Sequence, residues 1–279
     1  MLLTPPPRPL TIRPLTNPEF DRLHARNPTL PLSAKRDCIT CRDRRTYRWW
    51  TDERRVEIGE FACDCKDQWL LNHALTNANV GLAYQRLSWA DMTAVESGAL
   101  DEVGSYLESA EAYVSAGVGL ILHGEMGAGK TSLLTLVGKN LMARGFDFYF
   151  TTFSEMIDTY TGGWNDKDEK AWFHKRIKNV GVLVMDDVGR EYQGRAKSGL
   201  PESTFDEVLR HRVAASKPTF ISSNKDMTQM QEGYGGNVMS LLHERSTTYR
   251  FTGEDFRGQA RSRLVDEAKQ GLIRPVCLA

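Results

Sequence analysis

Residues 124–131 read Gly-Glu-Met-Gly-Ala-Gly-Lys-Thr, a G-x-x-x-x-G-K-[ST] run. Before it stands Val118-Gly119-Leu120-Ile121-Leu122, which reads as a buried parallel strand. After it a helix is predicted over 132–144, with Leu133, Leu134, Leu136, Val137, Leu141 and Met142 on one side and Gly145 as its stop. Strand, glycine loop and helix together define a phosphate-binding loop. Glycines let backbone N–H groups close around phosphate oxygens. The expected cradle is Gly124, Glu125, Met126, Gly127, Ala128, Gly129, Lys130, Thr131 and Ser132. Lys130 would reach the β and γ phosphates of ATP, and Thr131 would offer its hydroxyl to Mg²⁺. A glycine turn that merely joins strand to helix is the competing reading; the flanking elements favour the loop.

Composition narrows the partners. Lys plus Arg and Asp plus Glu both number 36 in 279 residues, so nucleic-acid or membrane contact must be local rather than driven by net charge. No apolar run approaches a membrane span, and the start, MLLTPPPRPL, lacks the apolar stretch of a secretory signal. A cytoplasmic protein is expected. Its five cysteines then read as metal ligands or free thiols rather than disulfides. Eight of eleven prolines lie between Pro5 and Pro31. The expected divisions are a Pro-rich, extended or disordered arm over 1–35, a cysteine module over 36–66, a helical connector over 67–99, an alternating α/β domain over 100–262 and a tail over 263–279.

Cys38 and Cys41 form C-x-x-C, and Cys63 and Cys65 form C-x-C. Between them, residues 46–50 and 56–61 read as a hairpin, which would bring both pairs together for a tetrahedral, closed, structural Zn²⁺ site. A disulfide pair or free thiols remain the alternatives, since C-x-C is tighter than the usual knuckle. Cys277 stands apart as an expected bystander. The basic stretch 35–55 carries Tyr47, Trp49 and Trp50. It suits single-stranded nucleic acid, a small module core with a solvated face, or a protein-docking surface.

A second signature follows the loop. Val180-Gly181-Val182-Leu183-Val184-Met185-Asp186-Asp187 is an apolar strand ending in two carboxylates. Asp186 would hold Mg²⁺, directly or through water, and Asp187 would position or deprotonate the attacking water. The competing reading has Asp187 incidental to the strand end. A third buried strand, Pro218-Thr219-Phe220-Ile221-Ser222-Ser223, ends at Asn224. Asn224 is either a sensor of the γ phosphate or a local cap.

The loop at 124–131, Met185-Asp186-Asp187-Val188-Gly189-Arg190-Glu191 and Lys217-Pro218-Thr219…Ser222-Ser223-Asn224 together resemble the AAA+ helicase loaders of the DnaC/DnaI type and the related IstB transposition helpers. Leu241-Leu242-His243-Glu244-Arg245 followed by Gly253-Glu254-Asp255-Phe256-Arg257 is similar to that family's closing R…G-x-x-[YF]-R pattern. The similarity covers about residues 36–262. It implies a P-loop AAA+ fold, a parallel five-stranded sheet flanked by helices with no full lid domain, beside a small zinc-ribbon-like module. It implies Arg245 as an arginine finger reaching a neighbouring subunit, with self-association through the ATP site, and Arg257 as a sensor acting on its own nucleotide; Arg250 competes for either role. It implies an ATPase that delivers a DnaB-type replicative helicase onto single-stranded DNA, gripped through the zinc module. Asp187, one methylene shorter than the Glu of many relatives, implies slow or partner-stimulated hydrolysis.

Chain length agrees with a missing lid, because only 55 residues follow Asn224 and these must supply a helix and a strand at about 249–252. Adenine would then lean on residues around Tyr84 to Trp89. The loop 189–199 and the segment from Tyr160 through Trp164 to Lys170 each combine cations with an aromatic. Such segments can track a single-stranded backbone or be solvated loops. An IstB-like helper on duplex DNA and a zinc-dependent DNA-binding adaptor with a non-hydrolysing ATP switch are the alternative functions.

Overall fold

The computed structural model describes residues 71, 73–164, 166–189, 199–270, 274 and 276–278, together with the backbone of strands β1 (Thr46–Trp50) and β2 (Glu57–Ala62). β1 and β2 pair antiparallel, from Thr46 opposite Ala62 to Trp50 opposite Glu57. This is the hairpin predicted from the aromatic segments. Cys38, Cys41, Cys63, Cys65, the Pro-rich arm and residues 190–198 lie outside the described residues.

Five further strands form the main sheet: β3 (Gly119–Gly124), β4 (Phe148–Thr152), β5 (Val182–Val188), β6 (Thr219–Ser223) and β7 (Ser246–Phe251). All pair in parallel, in the order β4-β5-β6-β3-β7. A parallel sheet needs cover on both faces. The helices that supply it are α1 (Ser97–Glu108), α2 (Ala110–Ala116), α3 (Lys130–Ala143), α4 (Phe153–Gly162), α5 (Lys167–Phe173), α6 (Leu200–Ala214), α7 (Met227–Tyr234) and α8 (Gly236–Arg245). A last helix, α9 (Arg257–Lys269), follows β7. Successive side chains of β3 divide the core. Leu120 and Leu122 join residues of α1, α2 and α3, whereas Ile121 joins residues of α4, α6, α7 and α8.

The expected α/β fold with a five-stranded parallel sheet is therefore present, with corrections at element ends. α3 begins at Lys130, inside the loop, because Gly129 at φ 94° turns the chain directly into the helix. Its far end follows expectation. The Phe146 N–H reaches the Leu141 carbonyl and the Gly145 N–H reaches that of Met142, with Gly145 at φ 92°. β5 begins at Val182 rather than Val180. The fully buried Arg212 of α6 takes the Val180 and Gly181 carbonyls (2.9 and 3.2 Å), together with those of Ile177 (3.0 Å) and Pro218. β7 begins at Ser246, earlier than the expected 249, and pairs with β3 over six positions. Its Ser-Thr-Thr start carries no apolar signal because an edge strand needs little burial on its open side.

The stretch expected as a connector is part of the core. Leu75, Ala78, Val80, Leu87, Met92 and Val95 are buried in the same cluster as the apolar face of α3. The Phe150 N–H donates to the Ala78 carbonyl (2.8 Å), and the Asn79 side chain donates to the Phe150 carbonyl (2.9 Å), covering the outer edge of β4. The boundary expected at residue 100 thus falls within α1, and the one at 262 within α9. Cys277 is not a bystander. Its thiol donates to the Leu87 carbonyl (3.3 Å) and lies 3.6 Å from the buried Lys139 ammonium of α3, which itself donates to Leu87 (2.6 Å) and Gln85 (3.2 Å). Among the described residues no helix is long and apolar enough to cross a membrane.

Candidate active site

Ligand sites in open α/β sheets gather at the carboxyl ends of strands. Here β3 delivers the glycine loop, β5 delivers Asp186 and Asp187, and β6 delivers Asn224. The loop is bent through three glycines at positive φ: Gly124 (115°), Gly127 (76°) and Gly129 (94°). A side chain at Gly124 would meet the Phe251 carbonyl at 2.2 Å, so backbone lies against backbone there. Two hydrogen bonds fasten the loop to the end of β7 and the turn that follows it. The Glu125 N–H donates to the Phe251 carbonyl (3.2 Å), and the Phe256 N–H to the Gly127 carbonyl (3.1 Å).

Lys130 is buried, its ammonium donating to the Gly124 (3.0 Å) and Glu125 (2.6 Å) carbonyls. Burial pushes its pKa down, while Asp187, Asp186 and Glu125 pull the other way. The Thr131 hydroxyl lies 3.0 and 3.1 Å from the two Asp186 carboxylate oxygens. Burial raises the Asp186 pKa, against hydrogen bonds from Ser222 and Thr131 and with the repulsion of Asp187 added. A desolvated carboxylate beside a hydroxyl is a hard-oxygen donor set, and it fits Mg²⁺. Asp186 and Thr131 would hold that ion, which would supply charge neutralisation for phosphate oxygens.

Asp187 occupies a bulge where the β5–β6 register shifts, at φ 56°, a left-handed conformation uncommon for a residue with a side chain. Its N–H donates to the Ser222 hydroxyl (3.0 Å), which in turn donates to Asp186. The twist separates the two carboxylates: Asp186 is buried against Thr131, and Asp187 lines the groove with Asn224, whose side-chain amide lies 3.5 Å from its carboxylate. β5 accordingly ends at Val188 instead of Asp187.

A groove of about 370 Å³ passes this carboxylate end and is lined as well by Ala83, Tyr84 and Leu87; burial, and then the charges of Asp186 and Asp187, raise the pKa of Tyr84. Lys130, Thr131 and Ser132 line it, and Arg257, at the start of α9, reaches it as well. Arg245, the last residue of α8, does not line it and pairs with its neighbour Glu244 (3.0 Å). Arg250 stands opposite His123 in the β3–β7 register and does not line it either. Of the expected site residues within one chain, the structure therefore assembles the loop, Asp186, Asp187, Asn224 and Arg257, and leaves Arg245 outside.

Sequence reasoning missed the charged cluster that fixes Arg263, Glu267 and Arg274 in the groove wall. Asp91, with a nearly buried carboxylate, accepts from the Ser88 N–H (2.8 Å), from Arg263 (2.6 Å) and from Arg274 at both oxygens (2.8 Å each). Arg274 also pairs with Glu267 (3.2 Å). Ser88-x-x-Asp91, a capping-box pattern, was the available local signal; the arginines carried none.

Fold and groove define a P-loop ATP-binding protein of the AAA+ class. A model of the family described as IstB-like ATP binding protein matches residues 95–262, and the chain belongs to that family. It is 28% identical over 149 residues to the replicative helicase loader DnaI of Bacillus subtilis, a stretch covering 52% of this chain and 44% of DnaI. It is 27% identical over 113 residues to a putative ATP-binding protein in an insertion sequence of Mycobacterium tuberculosis, covering 40% of this chain and 43% of that one. The chain thus spans less than half the length of these curated relatives. A crystal structure of DnaI superimposes with a TM-score of 0.51 at 25% identity, over 62% of this chain and 94% of that one.

Proposed function

We propose that this protein is an ATP-hydrolysing loader that delivers a DnaB-type replicative helicase onto single-stranded DNA. The observation that carries the proposal is the likeness to DnaI, which extends over almost the whole of that crystallised chain. The groove supports an ATP-driven step. Lys130 and Arg257 would neutralise phosphate charge, Asp186 and Thr131 would hold Mg²⁺, and Asp187, steadied by Asn224, would orient the attacking water. Arg245, half-buried at the end of α8 and outside its own groove, would serve a neighbouring subunit's γ phosphate, which would tie turnover to self-association.

Thr46 pairs opposite Ala62, so the chain enters and leaves this hairpin side by side; the cysteine module would hold zinc there and grip the helicase. Single-stranded DNA would lie along α4 and α5, where Tyr160, Trp164 and Lys170 line one surface cleft. The test is capture of the host's hexameric helicase by the full chain, with and without ATP, followed by transfer of helicase to a DNA circle. Capture that needs residues 36–66 and transfer that needs Lys130 are expected; failure to retain helicase under any nucleotide condition would refute the loader.

The insertion-sequence relative favours a second reading, an ATP-dependent transposition helper on duplex DNA. Assembly on duplex in preference to single strands would select it. ATP-dependent binding without turnover, even with helicase and DNA present, would instead indicate an adaptor with a non-hydrolysing switch.

A further inference from the structure

α9 is an unusual helix. It buries none of its own residues, and Leu264 is 66% exposed although it lines the groove. Arg257, Ala260, Leu264 and Glu267 are spaced by three and four residues, so they form one stripe, and all four line the groove. From Arg257 to Glu267 the helix advances about 15 Å along the groove, away from its phosphate end. Ion pairs rather than apolar burial anchor its far half. Arg263 and Arg274 both meet Asp91, and both pair with Glu267 through the same oxygen, Oε1, at 3.9 and 3.2 Å. The backbone closes the same corner: Arg86 Nε donates to the Arg274 carbonyl (2.7 Å), and the Cys277 N–H to that of Gln85 (3.2 Å). Arg263, Glu267, Arg274 and Cys277 lie beyond residue 262 and Gln85, Arg86 and Asp91 before residue 95, so all of these anchors fall outside the family match.

Resting on the nucleotide reading given above, we propose that α9, pinned by Arg274, is a one-helix cover over the nucleoside end, and that Glu267 reads the exocyclic amine of adenine. An ionised carboxylate only accepts hydrogen bonds. With Oε1 turned toward the two arginines, Oε2 would be the acceptor offered to the adenine N6 amino group. A base with a carbonyl at that position would set oxygen against oxygen. Ala83, Leu87, Ala260 and Leu264 supply apolar surface along the same groove.

The test compares ATP with ITP, which differ at this edge by amino against oxo at C6 and by acceptor against N–H at N1, as competitors of a fluorescent ATP analogue. Full-length wild type, Glu267→Gln, Arg274→Ala and Lys130→Ala are compared. Wild type is expected to favour ATP by about tenfold or more, the scale of one hydrogen bond to a charged group. Glu267→Gln, whose amide can also donate, is expected to bring the ratio close to one while it still binds. Arg274→Ala is expected to weaken both nucleotides. An unchanged ATP/ITP ratio in Glu267→Gln overturns the proposal, as does a parallel loss of both nucleotides in that variant, the mark of a purely structural carboxylate. Lys130→Ala separates the two levels: loss of all binding supports the underlying site, and wild-type binding removes that reading and this one together.

Discussion

The ammonium of Lys139 donates to the carbonyl of Leu87 at 2.6 Å, joining the helix that follows the phosphate loop to the turn that lines the groove at Leu87. The same ammonium bonds the Gln85 carbonyl. Lys139→Met keeps most of the side-chain volume and orphans those acceptors. It should cost about 1–3 kcal/mol of stability, read as a lower melting temperature, and should weaken ATP as the Leu87 turn loosens. Equal melting temperatures would refute it.

Arg212 serves carbonyls on both sides of the start of β5 and a hydroxyl, Thr219 Oγ1 at 2.9 Å. Burial pushes its guanidinium down, to about 9, so it remains charged at neutral pH. Arg212→Leu should destabilise by about 3 kcal/mol or more. Arg212→Lys should also destabilise, because an ammonium has three donors for a fork of five. Denaturant midpoints measure both, and a lysine variant as stable as wild type would contradict the geometry.

Asp186 and Asp187 differ in burial and partners, so their amides should fail differently. Asp186→Asn should raise the Mg²⁺ concentration needed for nucleotide binding. Asp187→Asn should bind ATP nearly normally and lose roughly 10²–10⁴-fold in turnover, the scale of a positioned base. Titrations of a fluorescent nucleotane analogue and phosphate release separate them. Matching defects in both assays would merge the two roles.

Asp91 supplies a pH test. Burial alone would raise its pKa, but the Ser88 N–H and the Arg274 and Arg263 guanidiniums hold it below the usual carboxylate range. A depressed folded-state pKa adds stability above the unfolded value, near 3.9, and loses it as pH falls through the folded value. Wild type should therefore exceed Asp91→Asn by about 1–2 kcal/mol, allowing for solvent screening at the partly exposed arginines, from pH 7 to about 5. The difference should close only below about pH 4. A gap that shrank between pH 7 and 6 would place the stabilisation elsewhere.

What the sequence made legible follows from how local the information is. The loop, Asp186-Asp187 and Asn224 each sit where one strand ends, and short apolar runs mark those strands. The start of β7 was hidden because Ser246-Thr247-Thr248 is polar, and the start of β5 because a distant arginine takes its carbonyls. The bulge at Asp187 has no local signature; it depends on the Ser222 hydroxyl, 35 residues away. Asp91, Glu267 and Arg274 are ordinary charges in the sequence, and only folding converges them. Leu75 and Val80, in the stretch expected as a connector, become core through contacts remote in the chain.

β7 has Arg245 immediately before it and leads, through the turn at 252–256, to Arg257. Six residues of strand place these two cations at opposite poles of the sheet, about 20 Å or more apart. Were Arg245 to answer a neighbour's nucleotide while Arg257 answers its own, each molecule would offer unlike surfaces front and back. Such head-to-tail joining is heterologous, and it yields a ring or an open spiral in place of a two-fold dimer. A stiff strut of this kind would make the geometry of every joint depend on what the molecule behind it holds.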